Sequence, residues 1–239
     1  MSARIAGCRA CPRLVAWRES VAESPPPAFA GETYWARPLS GVGDPNARLV
    51  VVGLAPAAHG GNRTGRMFTG DRSGDFLVAA MHRNGFANQP VSVSADDGLQ
   101  LIDAWLTAPV RCAPPGNRPL PAERDACLPY LVEELSLLGN ASVYLALGAF
   151  AYDALRRVAA TIGEGPAPRA KFGHGTAVPL DTGRTILCSY HPSQRNVFTG
   201  VLDARMLDAV LARARALLGE QETPPLASAD EDGDPPRGT

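Results

Sequence analysis

The sequence predicts an α/β protein of three layers, in which helices cover both faces of a central, mostly parallel sheet of four strands. Three observations predict this fold class. Four short aliphatic runs recur along the chain, segments with helical periodicity separate them, and 45% of the 239 residues are hydrophobic, which is enough for one full core. Strands that alternate with helices in this way form a parallel sheet covered on both sides.

The four strands are expected at residues 48–53, 106–110, 142–148 and 185–190. One helix should follow the first strand, with Ser73 or Asp75 as its N-cap, and two more are expected over residues 150–160 and 202–218. Ligands bind beyond the carboxyl ends of parallel strands. The loops that follow three of the strands, at residues 54–70, 111–119 and 191–200, should therefore converge on one site.

Composition limits the domain organisation and the location of the protein. Residues 1–219 are expected to form one domain, and residues 220–239, which are rich in proline and acidic residues, a disordered tail. No apolar run is long enough to span a bilayer, and the first residues lack the apolar core of a signal peptide. These features predict a soluble, cytoplasmic protein with no membrane partner. The formal net charge of −1 does not by itself indicate a nucleic-acid-binding surface.

The five cysteines predict a metal or cluster site more strongly than disulfides, because an odd number without a secretory signal argues against a disulfide framework. Cys8 and Cys11 form a C-x-x-C pair, and Cys112 and Cys127 form a second, wider pair. Four thiolates can hold an iron–sulfur cluster or a zinc ion, and the spacing does not separate the two. Cys188 lies within an apolar strand and is expected to be a core thiol.

Two loops contain the residues that suit chemistry on an anionic substrate. Residues 53–71 include five glycines with Arg63 and Arg66, which suits close backbone approach to a polyanion. Phe68 in this loop offers a flat face for stacking on a base, although a core-facing Phe in a solvated loop is an equally good interpretation. His191 directly follows the fourth strand, and a lone His in such a position is more often structural than catalytic.

These segments resemble the uracil-DNA glycosylase superfamily, and within it family 5, the UDGb class of bacteria and archaea. Residues 53–71 resemble the class motif GLAPA-HG-NRTGR-FTGD, and residues 191–196 resemble its HPS-Q-RN motif. The four paired cysteines match the iron–sulfur pattern that families 4 and 5 share. The resemblance covers residues 4–218. It implies a uracil-DNA glycosylase-like fold and a monofunctional DNA repair glycosylase, acting as a monomer on DNA in the nucleoid.

The resemblance also implies roles for individual residues. His191 would stabilise the departing base, Phe68 would stack on it, and Asn117 would lie near the sugar or its water. The residues expected to contact DNA phosphates or fill the vacated stack are Ser193, Gln194 and Arg195. The other residues expected to contact the base or the DNA are Gly53, Ala55, Ala57, Arg63, Arg66 and Asn196. The implied cofactor is a structural [4Fe–4S] cluster on Cys8, Cys11, Cys112 and Cys127.

The first loop departs from that of the uracil-specific relatives. Ala55 and Ala57 stand where those relatives carry a water-positioning Asp and a Tyr that excludes thymine. Asp71 is the nearest alternative carboxylate and is expected to help hold the water. The open position at Ala57 predicts cleavage of hypoxanthine and xanthine as well as uracil.

Two other functions compete with this interpretation. One is a non-catalytic nucleic-acid-binding iron–sulfur protein on the same fold, which the missing first-loop carboxylate favours. The other is a hydrolase or transferase of small nucleotides, which the glycine-rich loop supports weakly because it matches neither G-x-G-x-x-G nor a P-loop.

Overall fold

The computed structural model describes residues 1–165 and 170–219. The strands are β1 (Val42–Gly43), β2 (Leu49–Val52), β3 (Ala104–Thr107), β4 (Val143–Leu147), β5 (Ala177–Pro179) and β6 (Thr185–Ser189). The helices are α1 (Ser2–Ala6), α2 (Pro12–Glu23), α3 (Gly61–Thr64), α4 (Arg72–Arg83), α5 (Pro121–Leu137), α6 (Ala149–Thr161), α7 (Gln194–Phe198) and α8 (Ala204–Leu217). Short 3-10 helices lie at Pro27–Phe29 and Pro115–Asn117.

The sheet has six strands in the order β1-β3-β2-β4-β6-β5. The inner four are parallel and are the four strands that the sequence predicts. The prediction of only four strands is corrected by β1 and β5, which pair antiparallel at the two edges and contain two and three residues. β2 has β3 on one side and β4 on the other, so the chain reverses direction across the sheet at β2. Such a switch point is where open α/β sheets bind ligands.

Strand β2 shows how the sheet separates two apolar layers. All four of its residues are buried, because successive side chains of a strand point to opposite faces and both faces are covered. Leu49 and Val51 join the core cluster that includes residues of α4 and α8. Val50 and Val52 join the cluster that includes residues of α5 and α6. The predicted three-layer arrangement is therefore confirmed.

Helix α4 begins at a residue that the sequence analysis did not choose as its cap. Asp71 is the N-cap, and its Oδ1 accepts hydrogen bonds from the backbone N–H groups of Ser73 and Gly74 at 2.9 and 3.0 Å. Ser73 and Asp75 lie inside the helix, so the prediction that one of them caps it was wrong. A carboxylate at an N-cap satisfies backbone donors that have no partner within the helix.

The predicted tail at residues 220–239 lies outside the described residues. Within the part of the chain that the structure describes, no helix is both long and apolar enough to cross a membrane.

Candidate active site

The three loops that follow β2, β3 and β6 converge on one cleft of about 990 Å³, as the strand arrangement predicts. Its walls include residues 54–60 and 67–73 with gaps, Asn117 from the loop after β3, and His191 from the loop after β6. The size lies at the upper end of the range for small-molecule pockets. The candidate residues His191, Asp71, Asn117 and Phe68 all line this cleft.

Phe68 is held in an unusual backbone conformation. Its φ is +51°, in the left-handed region that bulky residues rarely adopt, and such conformations cluster at functional sites. Two glycines make room for it. A Cβ on Gly53 would lie 2.5 Å from Phe68 Cζ, and a Cβ on Gly74 would lie 2.3 Å from the Phe68 carbonyl oxygen. The ring therefore covers the end of β2 at the floor of the cleft.

One carboxylate oxygen of Asp71 accepts hydrogen bonds from the backbone of α4, and the other can accept a hydrogen bond from a bound molecule. Oδ1 caps α4, whereas no described residue donates a hydrogen bond to Oδ2. Burial raises the pKa of Asp71, and the two backbone N–H groups at its Oδ1 only partly oppose that effect. The backbone of Gly60 passes so close that a Cβ there would lie 2.0 Å from Oδ2. The carboxylate is thus fixed in position and more basic than a free Asp.

Burial has the opposite effect on His191, because it penalises the charged imidazolium. It lowers the pKa of His191 to about 4, so the ring is neutral at physiological pH. The loop is fixed around it by Asn196, whose Nδ2 donates to the His191 carbonyl oxygen at 2.9 Å. A neutral imidazole can still donate one N–H to an acceptor on a bound base.

Asn117 and the two alanines complete the inner wall. Asn117 ends the 3-10 helix after β3 with φ of +55°, a conformation that Asn tolerates better than most residues. Ala55 and Ala57 line the cleft on the side of the first loop. Asp75 also lines it, and burial raises the pKa of its carboxyl.

The cationic candidates differ in how free they are to contact DNA. Arg195 is exposed at the rim next to Ser193 and Gln194, and no described residue accepts a hydrogen bond from its guanidinium. Arg63 lines the cleft, but its guanidinium donates to Glu32 at 2.6 Å and to the carbonyl oxygens of His59 and Gly70.

Three other candidates lie outside the cleft wall. Gly53 supports Phe68 from below, and Asn196 holds the loop that carries His191. Arg66 is buried, and its guanidinium donates to Asp97 at 2.7 Å and to Ser92 at 3.0 Å. Because these bonds commit its side chain to a buried network, the predicted DNA contact of Arg66 has no geometric support.

The four paired cysteines line a second, smaller cavity together with apolar side chains of α2 and Val110. Burial raises the pKa of the Cys112 thiol to about 11 and that of Cys127 to about 12. Within residues 1–165 and 170–219, no group of three or more His, Cys, Asp or Glu side chains is arranged to hold a metal ion. Cys188 is completely buried in the core, which confirms the prediction for that residue.

Comparison with known proteins identifies the family. A family model described as the uracil DNA glycosylase superfamily matches residues 40–215. The chain belongs to this superfamily. A type-5 uracil-DNA glycosylase of Mycobacterium bovis is 53% identical to it over 92% of this chain and 81% of the relative. The type-5 enzyme of Thermus thermophilus is 49% identical over 90% of this chain and 95% of the relative, and the resemblance to family 5 is thereby confirmed.

Other residues at the cleft of this superfamily member were missed by the sequence analysis. His59 lines the cleft, stacks on Phe29 with ring centroids 5.6 Å apart, and contacts the Tyr34 hydroxyl through Nδ1 at 2.9 Å. Residues 148–150, at the start of α6, also line the cleft. Gly148 was a usable signal, because it directly follows a parallel strand and every such strand ends at the same edge of the sheet.

Proposed function

We propose that this protein hydrolyses the N-glycosidic bond of uracil in DNA and leaves an abasic site. The observation that carries the proposal is the meeting of a neutral histidine, a fixed carboxylate and a stacking aromatic in one cleft. The type-5 names of the relatives support the same reaction. We also propose that the protein acts as a monomer, since one chain supplies all three of these groups, and that it works at the nucleoid, where its DNA substrate lies.

The reaction leaves negative charge on the departing base and positive charge on the sugar, and the cleft supplies a group for each. Neutral His191 donates a hydrogen bond that strengthens as the base becomes anionic. Phe68 stacks on the flipped base. Asp71 Oδ2 accepts a proton from the attacking water, whose position is shared with Asn117. The negative charge of Asp71 also stabilises the positive charge that develops on the sugar.

Single-turnover cleavage of a duplex with one uracil tests this proposal. Wild-type protein should give alkali-sensitive strands, and Asp71→Asn should slow cleavage while leaving binding to the duplex near the wild-type level. Tight binding by the wild type without any cleavage would refute the proposal and favour the non-catalytic alternative.

We further propose that the substrate range includes hypoxanthine and xanthine. Ala55 and Ala57 place only methyl groups at two positions of the first-loop wall, and a wall with fewer contacts at those positions discriminates weakly between bases. Ala57→Tyr should reduce cleavage of hypoxanthine more than that of uracil. Ala216→Tyr, at an exposed position of α8, is the matched control. Cleavage of uracil alone by the wild type, unchanged by Ala57→Tyr, would contradict the open-wall argument.

The proposed cofactor is a structural [4Fe–4S] cluster on Cys8, Cys11, Cys112 and Cys127. A cubane spreads its ligand sulfurs around several iron atoms, whereas a zinc ion draws them around one centre. The four thiols lie around one cavity whose other lining residues are mainly apolar, and this arrangement supports the cubane. The cluster would tie α2 to the loop that presents Asn117.

Purified protein should be brown and contain iron and acid-labile sulfide in equal amounts. Cys112→Ser should lose both. A colourless protein with one zinc per chain would refute the cluster.

A further inference from the structure

Arg18 is a buried cation beside the four-cysteine cavity. Arg18 lies on α2 and is only 2% exposed. One terminal nitrogen of its guanidinium donates to Cys112 Sγ at 3.0 Å, and the other donates to the Cys8 carbonyl oxygen at 3.3 Å. Its Nε–H is buried and has no acceptor among the described residues. The side chain is therefore directed at the cysteines.

Arg18 has little compensation from carboxylates. The nearest is Glu19, whose Oε1 lies 3.8 Å away, and Glu19 forms its close contacts with exposed Arg9. Arginine cannot lose its charge in proteins, and burying an uncompensated charge is strongly unfavourable. Cys112 Sγ lies at hydrogen-bond distance from the guanidinium, so a negatively charged group bound by the cysteines would supply the missing compensation.

We propose that Arg18 is a positioning residue for the group bound by the four cysteines: it donates to the Cys112 thiolate and compensates the negative charge of the ligated cluster. This inference rests on the proposed cofactor. Four thiolates around a cubane carry net negative charge, and hydrogen bonds to ligand sulfurs are among the factors that set the reduction potential. Outer contacts of this kind also orient the ligands and slow their release of metal.

The same residue links the cysteines to the catalytic cleft. The carbonyl oxygen of Arg18 accepts a hydrogen bond from Asn62 Nδ2 at 3.2 Å, and Asn62 is 1% exposed. Asn62 belongs to α3, within the first loop and between His59 and Arg63, which both line the cleft. Arg18 therefore contacts a predicted cluster ligand through its side chain and the substrate loop through its backbone.

The test compares Arg18→Met and Arg18→Lys with Arg13→Met. Arg13 lies on the same helix, and Arg13→Met removes the same charge as Arg18→Met. The Arg13 guanidinium, however, donates to Glu123 and to no sulfur among the described residues. Two quantities are measured on each protein as isolated: the rate of metal release to a chelator, and the reduction potential from an optical redox titration. We expect Arg18→Met to release metal about 10–100-fold faster than Arg13→Met.

The potential should fall in Arg18→Met, because loss of a positive charge and of an N–H···S bond disfavours the more negative, reduced cluster. Arg18→Lys keeps the positive charge, so its reduction potential and its rate of metal release should lie between those of the wild type and those of Arg18→Met. This variant still tests the inference if Arg18→Met does not fold. Arg18 variants that match Arg13→Met in both release rate and potential would overturn the inference.

The outcomes also separate this inference from the proposals on which it depends. If the wild type holds zinc, the cluster proposal fails while the release rates still test Arg18. If the wild type binds no metal, both fail. Cleavage of uracil by the wild type tests the glycosylase proposal independently of either result.

Discussion

Replacing Gly60 with alanine tests whether the position of Asp71 controls the rate of base cleavage. The added methyl carbon would lie 2.0 Å from Asp71 Oδ2 and 2.9 Å from Asp71 Cβ, whereas ordinary contacts begin at 3.4 Å. The carboxylate must therefore move by about 1.4 Å, the difference between those distances. Rotation of the carboxylate alone does not relieve the contact with Cβ, so the N-cap of α4 must shift as well.

The size of the effect follows from these shifts. A misplacement of about 1 Å in a catalytic group costs about 100-fold in rate, so the single-turnover rate on a uracil duplex should fall about 100-fold. Weakening the cap should lower the free energy of unfolding by about 1 kcal/mol, measured by urea denaturation. Gly139→Ala is the matched control, because a Cβ at Gly139 meets no atom within 4 Å. It should leave the rate unchanged.

A double-mutant cycle with Asp71→Asn decides whether the effect of Gly60→Ala passes through the carboxylate. If it does, Gly60→Ala should cost little further rate in the Asp71→Asn background, because the group that it displaces no longer acts. A fall of the same size in both backgrounds would refute this reasoning, and so would a Gly60→Ala enzyme that cleaves at the wild-type rate.

Three further predictions concern His191, the pH dependence set by Asp71, and the buried pair Arg111–Glu134. His191→Ala should lower the single-turnover rate about 10²–10³-fold with little change in the affinity for DNA, and equal losses in rate and affinity would make His191 a binding residue. Burial raises the pKa of Asp71, so this carboxyl is protonated at a higher pH than a free Asp. The rate should therefore fall as pH decreases, with a midpoint above the pKa of a free Asp, and Asp71→Asn should lack this limb of the pH profile. Glu134→Ala should lower the free energy of unfolding by about 3–5 kcal/mol in urea denaturation, because it leaves buried Arg111 without the carboxylate that it contacts at 2.6 Å, and a loss below 1 kcal/mol would contradict this.

The parts of the fold that the sequence predicts are those set by continuous apolar runs. Strands β2, β4 and β6 are buried along their whole length, or nearly so, and their β-branched and aliphatic residues make them visible without any tertiary information. Strands β1 and β5 contain two and three residues and pair antiparallel at the edges. Only their partners define them as strands, so no local pattern identifies them.

The site shows the same division between local and long-range information. The meeting of three loops at one edge of the sheet follows from the parallel strands alone. The strands do not determine which arginine faces the cleft, because Arg63 and Arg66 belong to one motif and differ only in their partners. Arg66 is bound by Asp97, 31 residues later, and the cap of α4 was misassigned because three suitable side chains stand within five residues. Such choices depend on contacts that sequence spacing does not encode.

Burial of the cleft adjusts both proposed catalytic groups at once, and in the directions that the reaction needs. It lowers the pKa of His191 and raises that of Asp71, because both shifts disfavour charge in a poorly solvated site. The histidine stays neutral and can donate to an anion, while the carboxylate becomes a stronger base for water. Phe68 contributes to this environment by covering the floor beside Gly53. A smaller side chain at Phe68 would admit water, and both pKa values should then return toward their ordinary ranges. In the proposed mechanism Phe68 would therefore act on the reaction twice, through its contact with the base and through the solvation of the groups around it.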